Sequence, residues 1–324
     1  MKTPAMLNKN HRVSRRVPLM KALVAGWFSF EQMGATAGDL LCRDLVCQWL
    51  EGTGCPYDVA LAPPFEGGVD WRCVDPKTYS YVVFVCGPFG NGSPVTDFLQ
   101  RFAGCRLIGL SLSMIESPDV WNPFDLLLER DSSVTSRPDI SFLSQSAHVP
   151  VVGTILIHHQ PEYGEKDMGQ VANDRIRRFV NSREMAVVNI DTRLDINSTG
   201  LRSPAEVESL IARMDVVLTT RMHGMVLALK NGIPAVVIDP VAGGAKIRGQ
   251  SRTIGWPIVF TADTVTDEQL HKAFDYCLTE GARTKAKECC NRAIKMVQEM
   301  RDEFISALVR FGEIDAGLTS WHAL

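Results

Sequence analysis

The sequence predicts an α/β protein of two Rossmann-like domains that face each other across a cleft, followed by C-terminal helices. Three observations lead to this fold class. Short apolar runs rich in Val, Ile and Leu recur along the chain, helical patterns separate several of them, and an amphipathic tail follows. Continuous apolar runs are typical of parallel strands covered on both faces, so two successive series of strands and helices indicate two parallel sheets.

Five apolar runs predict strands in the first half of the chain. The first run extends from Lys21 to Phe28. Basic residues precede it, as in a signal peptide, but the apolar stretch that follows them is too short and too broken for one. The other four are PYDVALA, YVVFVCG, RLIGLSLS and DLLLERD. Between the first two runs, the pattern AGDLLCRDLVCQWLEGTG predicts a helix that ends at a glycine suited to a C-cap.

Five more runs predict strands in the second half, namely VVGTILIHH, MAVVNIDT, DVVLTT, PAVVIDP and PIVF. The predicted helices between them are NDRIRRFVNSREM, SPAEVESLIARM and HGMVLALKNG. We place the domain boundary within Ser144 to Pro150, so that residues 1–148 form the first domain and residues 149–324 the second. After Thr264 the apolar residues recur at helical spacing, which predicts C-terminal helices. These helices should pack on the second sheet, and their end could return to the first domain.

Composition excludes several classes of protein. The 324 residues include 34 basic and 37 acidic side chains, a net charge of −3, which gives no general attraction to nucleic acid or to an anionic membrane. No run is long enough to span a bilayer. The nine cysteines form no C-x-x-C pair and no zinc-like spacing, so we expect reduced thiols in a cytoplasmic protein and no metal site.

Arg221 and His223 stand between a predicted strand and a predicted helix. In open parallel sheets, ligands bind at the carboxyl ends of the strands, where the N-termini of helices point. The amides around Met222 and Gly224, together with the guanidinium of Arg221, would favour a phosphate or carboxylate. His223 could exchange a proton near neutral pH. The structural alternative is that His223 caps the helix and Arg221 forms a salt bridge.

Two further candidates for anion binding follow other strands. Gly243, Gly244 and Lys246 could form a phosphate-contacting loop, although a mobile surface turn explains them equally well. Arg130 could be a second anion ligand in the cleft, or it could form an ordinary pair with Asp131.

Three residues are candidates for the acceptor side. His158 and His159 stand at a predicted strand end, and because adjacent strand residues point to opposite faces, at most one of them should face the cleft. Asp39 either caps the first helix or faces an acceptor hydroxyl.

The chain resembles the polysaccharide pyruvyl transferase family. The family's R-x-H-G turn, followed by a helix and G-[IV]-P, is matched by Arg221-Met222-His223-Gly224 and Gly232-Ile233-Pro234. Its R-D-x-x-S segment, followed by a short strand, is similar to Arg130-Asp131-Ser132-Ser133 and to the segment PDISFL. The resemblance extends from about Gly26 to Phe260, and the turn CGPFGNG departs from the family's pattern.

The resemblance implies a fold like that of the GT-B glycosyltransferases. It also implies that phosphoenolpyruvate is the donor substrate, without a further cofactor, and that pyruvate is transferred as a ketal onto two sugar hydroxyls with release of phosphate. By position, Arg221 and Arg130 would hold the donor, aided by Met222, Gly224, Gly244 and Lys246, and His223 would be the acid that protonates the donor's methylene carbon.

The implied acceptor is a glycan, or a lipid-linked or nucleotide-linked saccharide, in polysaccharide (for example exopolysaccharide) biosynthesis. A lipid-linked acceptor would bring a cytoplasmic enzyme to the periphery of the membrane. Two alternatives remain open, a glycosyltransferase of the same architecture that uses a nucleotide sugar and a non-catalytic carbohydrate-binding protein. The sequence also leaves room for a homo-oligomer.

Overall fold

The computed structural model describes residues 20–131 and 136–319, with the backbone alone for residues 161 and 312–319. The chain divides into two compact units, Met1–Ala147 and His148–Leu324. Each unit has its own parallel sheet and its own hydrophobic core. The α/β class, with parallel sheets in two domains and C-terminal helices, is therefore confirmed.

The sheet of the first unit has the strand order β2-β1-β3-β5, with β4 and β6 both paired to β5, and every pairing is parallel. The strands are β1 Ala22–Ala25, β2 Tyr57–Val59, β3 Tyr81–Val85, β4 Pro88–Phe89, β5 Arg106–Met114 and β6 Leu126–Glu129. Two helices accompany them, α1 Ala37–Thr53 and α2 Val95–Arg101. Separate apolar clusters, one around Phe84 and Phe98 and one around Val24 and Cys42, form the core of this unit.

The first strand is shorter than predicted, since β1 ends at Ala25 and not at Phe28. A 3-10 helical turn, Trp27–Ser29, follows it. The Ser29 hydroxyl accepts a hydrogen bond from the Gly26 amide at 3.1 Å and donates one to the Ala60 carbonyl at 2.6 Å. These bonds replace the pairing that a longer strand would have made.

The sheet of the second unit has the order β8-β7-β9-β10-β11, and all its pairings are parallel. The strands are β7 Val151–Ile155, β8 Ala186–Asn189, β9 Val216–Thr219, β10 Ala235–Asp239 and β11 Val259–Thr261. The helices are α3 Gly169–Asn181, α4 Pro204–Ile211, α5 Met222–Lys230, α6 Lys246–Ile254, α7 Asp267–Cys277 and α8 Glu280–Thr319. As predicted, the tail is helical, and α7 packs on β10 while α8 packs beside α5 and α6.

Two helix boundaries differ from the prediction. The turn expected at Arg221–Gly224 overlaps the predicted helix HGMVLALKNG, and α5 begins one residue before that helix, at Met222, so that His223 and Gly224 lie in its first helical turn. The segment around Lys246 was predicted to be a loop, but Lys246 is the first residue of α6. Within the part of the chain that the structure describes, no helix has the length and apolar character needed to span a membrane.

Candidate functional site

The candidate site lies at the carboxyl edge of the second unit's sheet. There β8 lies on one side of β7, whereas β9, β10 and β11 follow on the other. Ligands of open α/β sheets bind outside the strand ends where the strand order reverses in this way. His158 follows β7, and Arg221 and His223 follow β9. Three of the predicted residues therefore follow the two strands that flank this switch point.

The N-terminus of α5 is open. Its N-cap residue, Arg221, has an extended backbone (φ −112°, ψ 139°), and no side chain caps the helix. Among the described residues, the amides of Met222, His223 and Gly224 have no hydrogen-bond acceptor. Unpaired amides at the positive end of a helix dipole favour an anion.

Thr219 fixes the turn that leads into this helix. Its hydroxyl donates to the Ile155 carbonyl at 2.9 Å and accepts from the Arg221 amide at 2.9 Å. A Cβ at Gly224 would lie only 2.2 Å from the Thr219 hydroxyl oxygen. The missing side chain of Gly224 thus allows close packing of helix on strand, and its amide is one of the three unpaired amides at the helix start.

Arg221 is anchored on one edge of its guanidinium. Its side chain is only 16% exposed, and Nη1 donates to the Asp191 carboxylate at 3.2 Å and to the Thr192 hydroxyl at 2.9 Å. Burial lowers the pKa of Arg221 and Asp191 opposes this, while arginine keeps its charge in either case. Since Nε and Nη2 have no partner among the described residues, the salt bridge leaves donors free for an anion.

Asp191 joins three segments of this unit. The residue is buried, and its carboxylate accepts from the Arg193 amide at 2.9 Å and from the Ser198 amide and hydroxyl at 3.2 and 3.0 Å. Its other contacts are Arg221 and the Nε2 of His158 at 3.4 Å. Burial alone would raise the pKa of Asp191, but these hydrogen bonds lower it below its ordinary value. Sequence reasoning missed this residue, although it lies near the end of the predicted strand MAVVNIDT and follows the observed end of β8 by two residues.

His158 and His159 lie beyond their strand, because β7 ends at Ile155. The prediction that alternation along a strand separates them is therefore wrong. Each imidazole contacts a different carboxylate, His158 that of Asp191 and His159 that of Asp167 at 2.9 Å. His159 is 79% exposed, whereas His158 is partly covered.

A buried polar pair positions the loop that carries His158. The Ile157 amide donates to the Thr220 hydroxyl at 2.8 Å, and the Asn173 side-chain amide donates to the Ile157 carbonyl at 2.9 Å. Thr220 in turn donates to Asn173 at 2.8 Å. Because Thr220 immediately precedes Arg221, the ends of β7 and β9 are held together.

His223 is not a helix cap. It is the second residue of α5, its side chain is exposed, and it has no hydrogen-bond or ion-pair partner among the described residues. An exposed imidazole beside unpaired helix amides is placed to meet a ligand bound there.

The start of α6 differs from that of α5 because a carboxylate already occupies it. Asp239 is fully buried and accepts from the amides of Val241, Ala245 and Arg248 at 3.2, 2.8 and 3.0 Å. These bonds anchor the loop, in which Gly243 and Gly244 adopt left-handed conformations. Lys246 is exposed, with its ammonium 5.7 Å from the centre of the Tyr163 ring.

Arg130 belongs to the first unit, and carboxylates already compensate its charge. It donates to Asp139 at 2.7 Å, to Asp131 at 3.2 Å and to the Ser113 hydroxyl at 2.6 Å. The ordinary pairing with Asp131 is thus present. Ser132 and Ser133 lie outside the described residues.

The segment PDISFL, predicted to be a strand, is a 3-10 helical turn from Ile140 to Leu143. The Asp139 side chain accepts from the Ser141 amide at 2.8 Å. This local bond favours a turn over an extended strand.

Asp39 supports the start of α1. Its carboxylate accepts from the Thr36 amide at 2.8 Å and from the Thr36 hydroxyl at 2.7 Å. Thr36 is the N-cap residue, and Asp39 is the third helical residue of a capping box. The capping alternative is therefore the one observed, with Thr36 as the cap.

Cys42, Cys86 and Asp139 form a group of metal-type ligands that sequence reasoning missed. Their ligand atoms lie within 4.8 Å of one another, with Cys42 Sγ 3.4 Å and Cys86 Sγ 3.8 Å from the Asp139 carboxylate. Hydrogen bonding to Cys86 and burial raise the pKa of Cys42 far above its ordinary value. Burial would raise the pKa of Asp139, yet hydrogen bonds from Ser141 and Arg130 hold it well below its usual range. Both sulfur atoms are placed to donate to the Asp139 carboxylate.

Comparison with protein families confirms the resemblance over one stretch of the chain. Residues 126–240 match the model of the family described as polysaccharide pyruvyl transferase. The stretch runs from β6 to the end of β10 and includes Arg130, Arg221 and His223. A search among curated protein sequences found no significant match.

Solved structures of sugar-processing enzymes are similar to this chain at low identity. The glycosyltransferase SnogD from Streptomyces nogalater is 13% identical, with 84% of this chain and 95% of that chain covered and a TM-score of 0.30. The UDP-GlcNAc 2-epimerase from Methanocaldococcus jannaschii is 10% identical, with coverage of 87% and 99% and a TM-score of 0.31. Alr3699/HepE from Anabaena, solved in complex with UDP and glucose, is 15% identical, with coverage of 89% and 100% and a TM-score of 0.31. The fold class of this chain rests on its own strand order.

Proposed function

We propose that this protein transfers pyruvate from phosphoenolpyruvate onto two hydroxyls of a saccharide, forming a ketal and releasing phosphate. The family match over residues 126–240 supports a transferase that acts on polysaccharides. The observation that carries the proposal is the start of α5 at the switch point of the sheet. There unpaired amides lie beside an exposed histidine and an arginine of which only Nη1 is hydrogen-bonded.

Phosphoenolpyruvate is a small anion with a phosphate and a carboxylate. The free Nε and Nη2 of Arg221 would donate to one of these groups in a bidentate manner, and the amides of Met222, His223 and Gly224 would bind the other. Because Asp191 holds only Nη1, it orients Arg221 without using the edge that faces the donor. Lys246 and the Gly244 turn would supply a second cation and a close backbone approach.

The chemistry needs a proton at the methylene carbon of the donor. His223 would deliver it, turning the methylene into a methyl group and making the central carbon electrophilic. One sugar hydroxyl then adds to that carbon and loses its proton, and the C–O bond to phosphate breaks as phosphate leaves. The second hydroxyl then adds to the same carbon and loses its proton, which closes the ketal. A general acid of this kind contributes about 10²–10⁴-fold to the rate.

The remaining assignments complete the proposal. His158, which Asp191 orients, would contact an acceptor hydroxyl, and His159 and Asp39 are further acceptor-side candidates. Arg130 stays a prediction as a donor ligand, since Asp131 and Asp139 already pair with it. The acceptor would be a glycan, or a lipid-linked or nucleotide-linked saccharide, met in the cytoplasm or at the membrane periphery.

Incubation with phosphoenolpyruvate and a panel of β-linked hexosides tests this function. We expect phosphate release that depends on the hexoside, and deuterium from heavy water in the pyruvyl methyl group of the product. If a nucleotide sugar raises the melting temperature and phosphoenolpyruvate does not, the protein is a glycosyltransferase and the proposal is wrong.

A further inference from the structure

The outer part of α8 carries a broad apolar face. Near its start the helix packs into the second unit, where Ala286 and Cys289 are buried. Farther along, large apolar side chains are between 52% and 64% exposed, among them Val297, Met300, Phe304, Leu308 and Phe311. A contiguous exposed apolar surface of this kind marks an interaction site on a protein.

These side chains follow the repeat of a coiled coil. Val297, Met300, Phe304, Ala307 and Phe311 succeed one another at alternating spacings of three and four residues. That repeat keeps one seam of a helix facing a partner helix along its whole length. We call these five residues the α8 seam.

We propose that the α8 seam pairs antiparallel with the α8 seam of a second copy of this chain. Side-chain size decides the orientation. With the two-fold axis between Phe304 and Ala307, Phe304 faces Ala307 of the second copy and Met300 faces Phe311 of the second copy. A parallel pair in register would put Phe304 on Phe304 and Ala307 on Ala307, a crowded layer next to a gap, which close packing disfavours.

Charge also favours the antiparallel pair. Glu303 and Arg310 flank the seam on the same side, and neither has an ion-pair partner among the described residues. Antiparallel pairing brings Glu303 beside Arg310 of the second copy, and the two-fold symmetry repeats this contact.

A membrane surface is the less suitable occupant. Two guanidinium groups, those of Arg301 and Arg310, are outnumbered on the same helix segment by the carboxylates of Glu299, Asp302 and Glu303. An anionic lipid surface attracts basic segments and would repel these groups.

Sedimentation velocity of the full chain over a dilution series tests the proposal. We expect a dimer with twice the 35.8 kDa mass of the chain. Phe304→Glu should weaken the dimer at least about tenfold, because it puts a charge in the centre of the seam. The control, Ser306→Glu, adds the same charge on the exposed polar side and should sediment like the parent. Both variants should keep the parent's melting temperature at concentrations where all are monomers, since Phe304 and Ser306 lie outside the core of the unit.

Charge reversal tests the antiparallel orientation. Glu303→Arg alone and Arg310→Glu alone should each weaken the dimer, and the double variant should restore it. A chain that stays monomeric at every concentration overturns the proposal, as does a dimer that Phe304→Glu leaves intact. A monomer whose seam cross-links to its own first unit, or that binds vesicles of anionic phospholipid through the seam, would identify a different occupant and equally overturn it.

Discussion

At the scale of single residues, Asp191 and His223 have opposite surroundings. Asp191 is buried and contacts Arg221, His158 and the loop of Arg193 and Ser198. His223 is exposed and has no partner among the described residues. A side chain without structural partners can be changed at little cost to the fold, so the two residues should respond differently to substitution.

His223→Gln should lower turnover by about 10²-fold or more, while the affinity for phosphoenolpyruvate changes much less. The reason is that glutamine keeps a polar side chain at the helix start but cannot deliver a proton. Steady-state kinetics and calorimetry with phosphoenolpyruvate measure the two effects. His148→Gln, at an exposed position outside the site, is the matched control. Near-parental turnover of the His223 variant would remove the catalytic assignment.

Asp191→Asn should weaken phosphoenolpyruvate binding about tenfold, because Arg221 and His158 lose the charge that orients them, a contact of roughly 1.5–3 kcal/mol. The melting temperature should also fall, since several donors share this carboxylate. Asp195→Asn is the control, because Asp195 pairs with Arg193 on the same loop but is exposed. If both variants bind phosphoenolpyruvate equally well, Asp191 does not position the site.

Cys277 gives the second unit a stability that depends on pH. It is fully buried in α7, and burial raises its pKa to about 12. Below the unfolded thiol's pKa of about 8.5, both states keep the proton and the stabilisation is complete. Between about pH 8.5 and 12 only the unfolded thiol loses its proton, so the free energy of unfolding should fall by up to about 1.4 kcal/mol per pH unit. Urea unfolding at several alkaline pH values should show a shallower fall for Cys277→Ala, and equal slopes would contradict the assignment.

At the scale of elements, α5 and α6 are two nine-residue helices that begin at neighbouring strand ends but differ at their starts. Asp239 accepts from the amides of Ala245 and Arg248 at the start of α6, whereas no carboxylate contacts the first amides of α5 among the described residues. Asp239 is the last residue of β10, the strand that precedes α6. The last residue of β9, which precedes α5, is Thr219, and its hydroxyl bonds to the Ile155 carbonyl and the Arg221 amide. The two helix starts therefore differ by one carboxylate, which is present at α6 and, among the described residues, absent at α5.

A pair of glycine substitutions tests how tightly α5 is held. Gly224→Ala should destabilise the protein by roughly 1–3 kcal/mol, because its Cβ would press on Thr219, which cannot move without losing two hydrogen bonds. Gly249→Ala in α6 meets nothing within 4 Å and should stabilise it by roughly 0.5–1 kcal/mol. Urea unfolding of both variants measures the difference. If Gly224→Ala matched Gly249→Ala, the packing of α5 on β9 would be looser than described.

At the scale of the whole molecule, the chain consists of two compact units with separate sheets and cores. The segment between them has no regular structure from residue 144 to residue 150. Just before it, Phe142 is 85% exposed and Leu143 is 64% exposed.

Limited chymotrypsin digestion should therefore cut first after Phe142 or Leu143, because a protease needs an exposed segment that it can unfold locally. Mass spectrometry should identify two resistant fragments that correspond to the two units. The double variant Phe142→Ser, Leu143→Ser should be cut more slowly at this place. First cuts inside either sheet would contradict the division of the chain.

The sequence by itself determined every strand of the described residues except the two-residue β4, most of the helices and the segment of Arg221 and His223. An apolar run directly records burial on both faces of a parallel strand, and strand ends are where ligands bind. The sequence did not predict helices α2 and α6. Neither shows a clear apolar repeat, because α2 is short and α6 is largely polar.

Only the tertiary structure decided which side chains meet. Asp191 follows β8 and Arg221 follows β9, and the two side chains can meet because only β7 lies between these strands in the sheet. Cys42, Cys86 and Asp139 converge from three distant segments of the chain. Strand order sets these contacts, and spacing along the chain carries no record of it. The same holds for the free amides of α5, since the difference between Asp239 and Thr219 takes effect only when each strand end meets the helix after it.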